Sequence, residues 1–362
     1  MVYLSGMARR FRKLSLMLSI ATLVALASAA TVNAAPNNHH GPTLTPQQSG
    51  TTNRLQAISA VNSRVAWASG LGGTYALTTN GGATWKAAVV PGAEALQFRD
   101  VEGVSETTAY LLSAGVGTDS RIYKTTNSGR TWTLEFQNRD PNGFYDCFSF
   151  WTGMRGITMA DSVSGRFPVI RTTDGTTWQD IGDQLPAAQD GEAAFAASGT
   201  CIATQGGQRA WIGTGGAAKA RILFTADGGN SWAAAETPIV QGTPTSGVIS
   251  VAFRNSHNGI LGGGELLAPT AFSNNIARSG DGGKTWQLAS GTSFPGAVYG
   301  LSYVDQTRTV VATGPSGSAW SPDEGTTWSA LPGLSGLWAV AFANQHAGWL
   351  VGTQGRIVKI SF

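Results

Sequence analysis

Charge is scarce in this sequence. Asp, Glu, Lys and Arg together make up 12% of its 362 residues. Histidine occurs four times, as His39, His40, His257 and His346, and none stands at metal-ligand spacing from a cysteine or another distant histidine. No metal site is therefore expected. A G-x-S-x-G nucleophile elbow, a G-x-x-x-x-G-K-[ST] phosphate loop and a dinucleotide fingerprint are all missing, so no cofactor is expected either. No long stretch carries the 3.6-residue periodicity of an amphipathic helix. What remains is a glycine-rich, tryptophan-rich chain, with 48 Gly and 12 Trp. That composition suits short strands, tight turns and large aromatic side chains packed between layers.

The first 35 residues differ from the rest. Arg9, Arg10, Arg12 and Lys13 precede an apolar run from Leu14 to about Leu26, and small residues follow, with cleavage points after Ala29 or Ala34. Basic, then apolar, then small is the layout of a secretory signal peptide. The run is short for a membrane span. Residues 1–35 are thus expected to direct export to the periplasm or medium, 36–42 to form a flexible lead, and no stable span to remain after cleavage. An uncleaved anchor is the alternative. The leader holds four of the 24 basic residues and none of the 21 acidic ones, so the remainder has a net charge near −1. Nucleic acid, which requires clustered Lys and Arg, is not an expected partner.

Six copies of a short box punctuate the chain: TTNGGATW (78–85), TTNSGRTW (125–132), TTDGTTW (172–178), TADGGNSW (225–232), SGDGGKTW (279–286) and SPDEGTTW (321–328). Their tryptophans, Trp85, Trp132, Trp178, Trp232, Trp286 and Trp328, lie 47, 46, 54, 54 and 42 residues apart. A period of that length signals a repeat architecture. Each box sits between strand-like runs and so reads as a hairpin turn. Upstream lie further strands, seven of them, most ending in glycine, as in VAWASG (65–70) and GWLVG (348–352). Before these come apolar runs such as LQAISAV (55–61) and LWAVAF (337–342). Four strands per repeat describe a propeller blade. The last repeat lacks a box and supplies three strands; the segment TLTPQQ (43–48) can provide its fourth. The fold expected is all-β: a seven-bladed β-propeller of four-stranded blades over 43–362, its last blade closed by an N-terminal strand, or six blades if the ends do not pair. In blade four, 193–204 reads as one bulged strand or two.

Within the box, Asn80, Asn127, Asp174, Asp227, Asp281 and Asp323 can bond backbone groups of their own turn. The glycine at the fifth position suits positive φ, and the tryptophan anchors the hairpin. Six acidic or amide side chains spread around a ring cannot converge on one substrate, and a lone carboxylate is a poor calcium cage. The reading is structural. Cys147 and Cys201 stand 54 residues apart, about one repeat, and in an exported protein neighbouring repeats could pair them; two buried thiols are the alternative.

The pattern S/T-x-D-x-G-x-T-W resembles the Asp-box, or BNR, repeat of sialidases, sortilin-type receptors and some glycoside hydrolases. The wider layout is closer to the photosystem II assembly and stability factors of plants and cyanobacteria, and to their relatives in non-photosynthetic bacteria. TPQQSGTTNRLQAISAVNSRVAWASG (45–70), RDVEGV (99–104), SRIYKTTNSGRTW (120–132) and GFYDCFSFW (143–151) carry that resemblance, which extends over roughly 43–362. It implies a propeller that acts by binding another protein; the photosynthetic members bind unassembled reaction-centre protein. The Asp-box likeness alone would imply a glycoside hydrolase, sialidase-like or glucan-active, or a carbohydrate-binding module.

Geometry directs attention away from the boxes. Box turns join strands three and four on one face, whereas the longest loops, 138–143, 182–192 and 265–274, emerge on the other. Loops on a rigid scaffold commonly carry function. Near them Arg99, Asp100, Glu102, Tyr145, Asp146 and Glu192 are unusually polar for inner strands. They are expected to line the channel mouth and bind a partner or small polar ligand. Alternatively they pair among themselves in a solvated channel, Arg99 with Asp100 or Asp146. No arginine motif of the sialidase type stands out, so no catalytic residue is assigned. The expectation is a monomeric, non-enzymatic binder of an envelope or exported protein, or of a polar ligand or glycan.

Overall fold

The computed structural model describes residues 41–362; the leader expected over 1–35, and residues 36–40 of the flexible lead, lie outside the described residues. Within them the chain forms seven antiparallel sheets of four strands each. Blades 1 to 6 occupy 55–89, 98–137, 145–180, 202–236, 246–288 and 300–330 in chain order. Blade 7 takes three strands from 337–361 and its outermost from Thr43–Gln47. That strand runs antiparallel to the last, from Thr43 opposite Ser361 to Gln47 opposite Ile357. Pro46 is tolerated here because an outer edge strand can spare an N–H.

The first strand of each blade lies innermost. These are Leu55–Ala60, Phe98–Gly103, Tyr145–Thr152, Ile202–Gln205, Ser246–Phe253, Gly300–Tyr303 and Leu337–Asn344. Each touches the inner strand of the next blade, and the last touches the first, so the ring is closed. The core lies between blades. Trp67, Tyr75 and Leu77 of blade 1 pack on Phe98, Leu111 and Tyr123 of blade 2. Trp349 and Val351 of blade 7 pack on Leu55, Ala68 and Trp85 of blade 1. Every sheet is therefore covered on both faces, which explains why its middle strands are apolar throughout rather than alternating.

Between blades 3 and 4 the apolar packing is supplemented covalently. Cys147, on the inner strand of blade 3, is joined by a disulfide to Cys201, just before that of blade 4. The segment 193–204 is neither one bulged strand nor two. A short strand, Ile202–Gln205, follows an irregular stretch that leaves the sheet and enters the channel.

The boxes work as hydrogen-bond hubs. In blade 5, Asp281 Oδ1 accepts from the Lys284 and Thr285 N–H groups at 3.1 and 3.0 Å, and from the Ser279 hydroxyl at 2.8 Å. Its Oδ2 accepts from the Thr285 hydroxyl at 2.6 Å, and Ser279 Oγ accepts from the Gly283 N–H at 2.9 Å. The carboxylate is thereby occupied by its own turn. Blade 3, one residue shorter, compresses the pattern: Asp174 Oδ1 takes the Thr176 and Thr177 N–H groups at 2.8 and 2.7 Å.

Each box also receives a hydrogen bond from the preceding blade. A carbonyl of its turn accepts from Lys359 (to Gly81, 3.0 Å), Tyr75 (to Gly129, 2.8 Å), Lys124 (to Gly175, 3.4 Å), Arg171 (to Gly228, 2.7 Å), Trp211 (to Gly282, 2.8 Å) or Arg278 (to Glu324, 3.4 Å). The donors differ chemically but the acceptor is always a carbonyl at the fourth or fifth box position. Hairpin turn and blade-to-blade latch are thus one device.

This wiring sets an acid limit. The Ser231 hydroxyl and N–H hold Asp227 at about 2, well below the usual carboxylate value. Asp174 and Asp281 are lowered by the same kind of turn bonds. A depressed carboxylate contributes stability above its unfolded value near 4 and loses it as the pH falls through about 2. Thermal melts from pH 5 to pH 2 should show a progressive fall in Tm. Asp227→Asn, which copies Asn80 and Asn127, should lower Tm at pH 5 but make the fall shallower. An unchanged slope would rule out the box carboxylates as its source.

Candidate functional site

One register irregularity recurs along the inner strands. Pairing skips a residue between Leu55 and Ala57, Phe98 and Asp100, Tyr145 and Cys147, Val248 and Ser250, and Leu337 and Ala339. The extra residues are Gln56, Arg99, Asp146, Ile249 and Trp338. In blade 6, Tyr299 sends its N–H to Thr313 O at 2.9 Å although Gly300 is the paired residue there. Such a β-bulge adds a residue to one strand and re-aims its side chain. Seven strands crowd towards the axis at this level, and the bulge increases their twist. Strand two must leave room for it. A Cβ on Gly70 would lie 2.0 Å from Arg54 O, and one on Gly352 would lie 2.1 Å from Gly336 O. The strand-ending glycines answer this steric need.

Five of these re-aimed side chains, Gln56, Arg99, Asp146, Tyr299 and Trp338, line a single cavity of about 390 Å³ at the mouth opposite the boxes. Arg54 joins them, its guanidinium 4.7 Å above the Trp338 ring. Tyr299 meets Trp338 edge-on at 5.7 Å. Asp161, from the end of strand two in blade 3, completes the polar wall.

The irregular stretch 193–200 closes this cavity from below. Ala193 pairs with Gly215, and the Ala194 N–H donates to Asp161 Oδ1 at 3.2 Å. Arg99 Nη1 donates to Ala196 O at 3.3 Å, reaching from blade 2. The Ser198 hydroxyl donates to Tyr299 O at 2.5 Å in blade 6, and Thr200 Oγ1 lies 2.7 Å from Ser250 Oγ in blade 5. Residues 193–197 line the upper cavity, whereas 198–200 line a second one of about 360 Å³ on the box side. The segment is therefore a plug, held from four other blades and anchored at its end by the disulfide.

The plug separates the residues expected at one mouth. Arg99 and Asp146 line the upper cavity, and Asp100 and Glu102 the lower. Asp100 spans from its own Val101 N–H to that of Phe148, at 2.7 and 2.8 Å. Tyr145 lines neither; it faces a crevice between blades 2 and 3, against Phe136. Glu192 is buried beneath the surface, paired with Arg221 and accepting from the Thr214 hydroxyl at 2.6 Å. Its charge is consumed in fastening the loop to blade 4. Arg99 bonds Gln97 Oε1 at 2.9 Å and Ala196 O; among the described residues it makes no ion pair with Asp100 or Asp146.

Burial governs the electrostatics. Asp146 is raised well above the usual carboxylate range by burial and by its neighbour Asp161; Arg99 opposes the shift. Burial also lifts Asp161, to about 6. Burial and the charge of Arg54 lower Arg99. In the lower cavity burial pushes Glu102 up to about 8. Among the described residues no group of three or more His, Cys, Asp or Glu could hold a metal ion.

Sequence reading had missed Arg54, Gln56, Asp161, Tyr299 and Trp338. A signal existed for three of them. An apolar residue, a variable one, a small or short one and a further apolar one recur as LQAI (55–58), FRDV (98–101), YDCF (145–148), VISV (248–251), VYGL (298–301) and LWAV (337–340). The variable position is the bulge. Arg54 and Asp161 lie outside that pattern.

No protein-family model matches this chain, and no curated protein matches it. Solved structures do. YCF48 bound to a D1 peptide is similar with a TM-score of 0.63 and 15% identity, over 88% of this chain and 97% of that one. YCF48 from Cyanidioschyzon merolae gives 0.60 and 15%, over 88% and 98%. The GH74 xyloglucanase from Xanthomonas campestris gives 0.59 and 14%, over 87% of this chain but 53% of that one. At such identities the likeness speaks for the β-propeller fold alone.

The raised Glu102 carries a stability signature. Its folded value exceeds its unfolded value, so its contribution is favourable at acid pH and is lost as the pH rises through about 8. Glu102→Gln should therefore match the wild type in Tm near pH 5 and exceed it near pH 9 by about 2–4 °C. Equal melting at both pH values would show that Glu102 is solvated like a surface carboxylate.

Proposed function

We propose that this protein is an exported, non-enzymatic scaffold whose face opposite the boxes binds another exported or envelope protein. The observation that carries this reading is the loop 266–275 of blade 5. Leu266 lines the upper cavity, while Leu267 and Phe272 stand 79% and 71% exposed. Val116, at 63%, lies on the same face in the corresponding loop of blade 2. Large apolar side chains left exposed in a loop that also lines a cavity favour an interaction surface. On the opposite face the box carboxylates are occupied by their own turns.

Two further points favour binding over hydrolysis. A glycosidase holds its two carboxyls about 5–10 Å apart, flanking the bond to be broken. Asp146 and Asp161 instead stand next to the paired Tyr145 and Ala160 on adjacent strands of blade 3, beside each other in one cavity wall and not on opposite sides of a groove. The similar YCF48 was solved with a D1 peptide bound, so this fold accommodates a protein segment. Export rests on the basic–apolar–small layout of residues 1–35, and an assembly role in an envelope complex is the extension we draw from the sequence resemblance.

Affinity capture from the native envelope, followed by binding measurements with the purified partner, tests this. The double variant Leu267→Asp, Phe272→Asp should bind at least about tenfold more weakly, since exposed apolar anchors supply much of an interface's energy. Its Tm should stay within a few degrees of wild type. Equal binding by wild type and variant would refute the assignment of this face.

A further inference from the structure

The upper cavity contains polar groups that the protein itself leaves unpartnered. Gln56 is 2% exposed, and its side chain makes no hydrogen bond among the described residues. Its Oε1 and the Nε of Arg54 are both buried without a partner, and both residues line this cavity. A buried polar atom left unpaired costs on the order of 1–3 kcal/mol. Two of them in one cavity lining, beside Asp146, whose Oδ2 is likewise buried without a partner, describe a site awaiting complementary groups. Bulges put Gln56, Asp146 and Trp338 there, so the placement is built into the strands and not an accident of a loop.

The chemistry of the complement can be narrowed. Whichever way the Gln56 amide is turned, one end donates and the other accepts. An acceptor-only ligand such as a simple carboxylate would serve Arg54 and Arg99 but leave the amide oxygen unpaired. A cation would be repelled by the two guanidinium groups. A hydroxyl both donates and accepts, so adjacent hydroxyls can serve the amide, the guanidinium and the Asp146 carboxyl together. Tyr299 and Trp338 meet at 84°, forming an aromatic corner against which the C–H face of a ring can lie. The cavity, about 390 Å³, is within the usual range for small-molecule sites.

We infer that the upper cavity is a binding site for a neutral polyhydroxylated ring, the class to which pyranose sugars belong. The plug gives it a closed floor, so the ligand enters from the face opposite the boxes. The inference goes beyond the scaffold reading and does not rest on it, because its evidence is the polar lining of Gln56, Arg54 and Asp146 and not the exposed Leu267 and Phe272.

The test uses the purified protein and a panel of neutral methyl pyranosides (gluco, galacto and manno), with sodium acetate and tetramethylammonium chloride as acceptor-only and cationic probes. Saturation-transfer NMR should detect at least one pyranoside and neither ion. Gln56→Leu and Trp338→Ala should each weaken that binding by about tenfold, the loss expected for one good contact. Gln56→Leu should meanwhile keep or raise Tm, because it removes an unpartnered buried amide, so weakened binding cannot be ascribed to unfolding. No pyranoside binding, tighter binding of acetate, or wild-type binding by both variants would overturn the inference. Loss of sugar binding with partner capture intact would separate this site from the protein-binding face.

Discussion

A ring of sheets is stable only if it has no open end, and everything in this molecule follows from how the ring is shut. The last three strands cannot cover the flank of blade 1 by themselves. The strand Thr43–Gln47 completes their sheet, and at its end Gln47 accepts the indole N–H of Trp85 at 2.9 Å. Lys359, in the same sheet, bonds Gly81 of the first box. Closure is thus made three times at one seam: by a strand ladder, by a side-chain bond and by the same box latch that joins the other blades. The free edges that would otherwise invite pairing with another chain are reduced to short outer strands.

Closure also creates crowding. Seven inner strands approach the axis, and near one rim five of them shed the strain by admitting an extra residue. The bulge has a geometric cause, yet it supplies the molecule with outward variety. The side chain it re-aims is free of the ladder, so its identity can change from Gln to Arg to Asp to Trp without disturbing the fold. Blade 4 departs from this scheme. Its chain leaves the sheet, crosses the channel and returns through Cys201, converting a tunnel into two separate cavities.

The two rims consequently differ in what they can offer a partner. On the box rim, carboxylates, hydroxyls and turn carbonyls are consumed by internal bonds. On the other, the unpaired Gln56, Arg54 and Asp146 atoms share one cavity and Leu267 and Phe272 remain exposed, whereas the box rim leaves scattered groups such as the Trp132 and Trp178 indoles and the Met154 side chain. Rigid wiring on one face and chemical availability on the other are two consequences of one strand order, because box turns and inner-strand starts emerge at opposite ends.

Much of this architecture was legible in the residues. Box spacing, strand-ending glycines and the missing fourth strand of the last repeat state the blade number, the closure and the face on which function is less expected. Those features are local: a turn needs its Asp or Asn, its glycine and its tryptophan within eight residues, so they leave a pattern in the chain. The site was only half legible. Arg99 and Asp146 stand out in the sequence as polar residues in apolar surroundings, but Gln56, Tyr299 and Trp338 do not, and Asp100, Glu102, Tyr145 and Glu192 face other spaces. Which side of a strand a residue faces depends on a bulge, and which cavity it enters depends on a plug from a blade distant in sequence. Both are set by crowding at the axis, a property of the closed ring that no single segment contains.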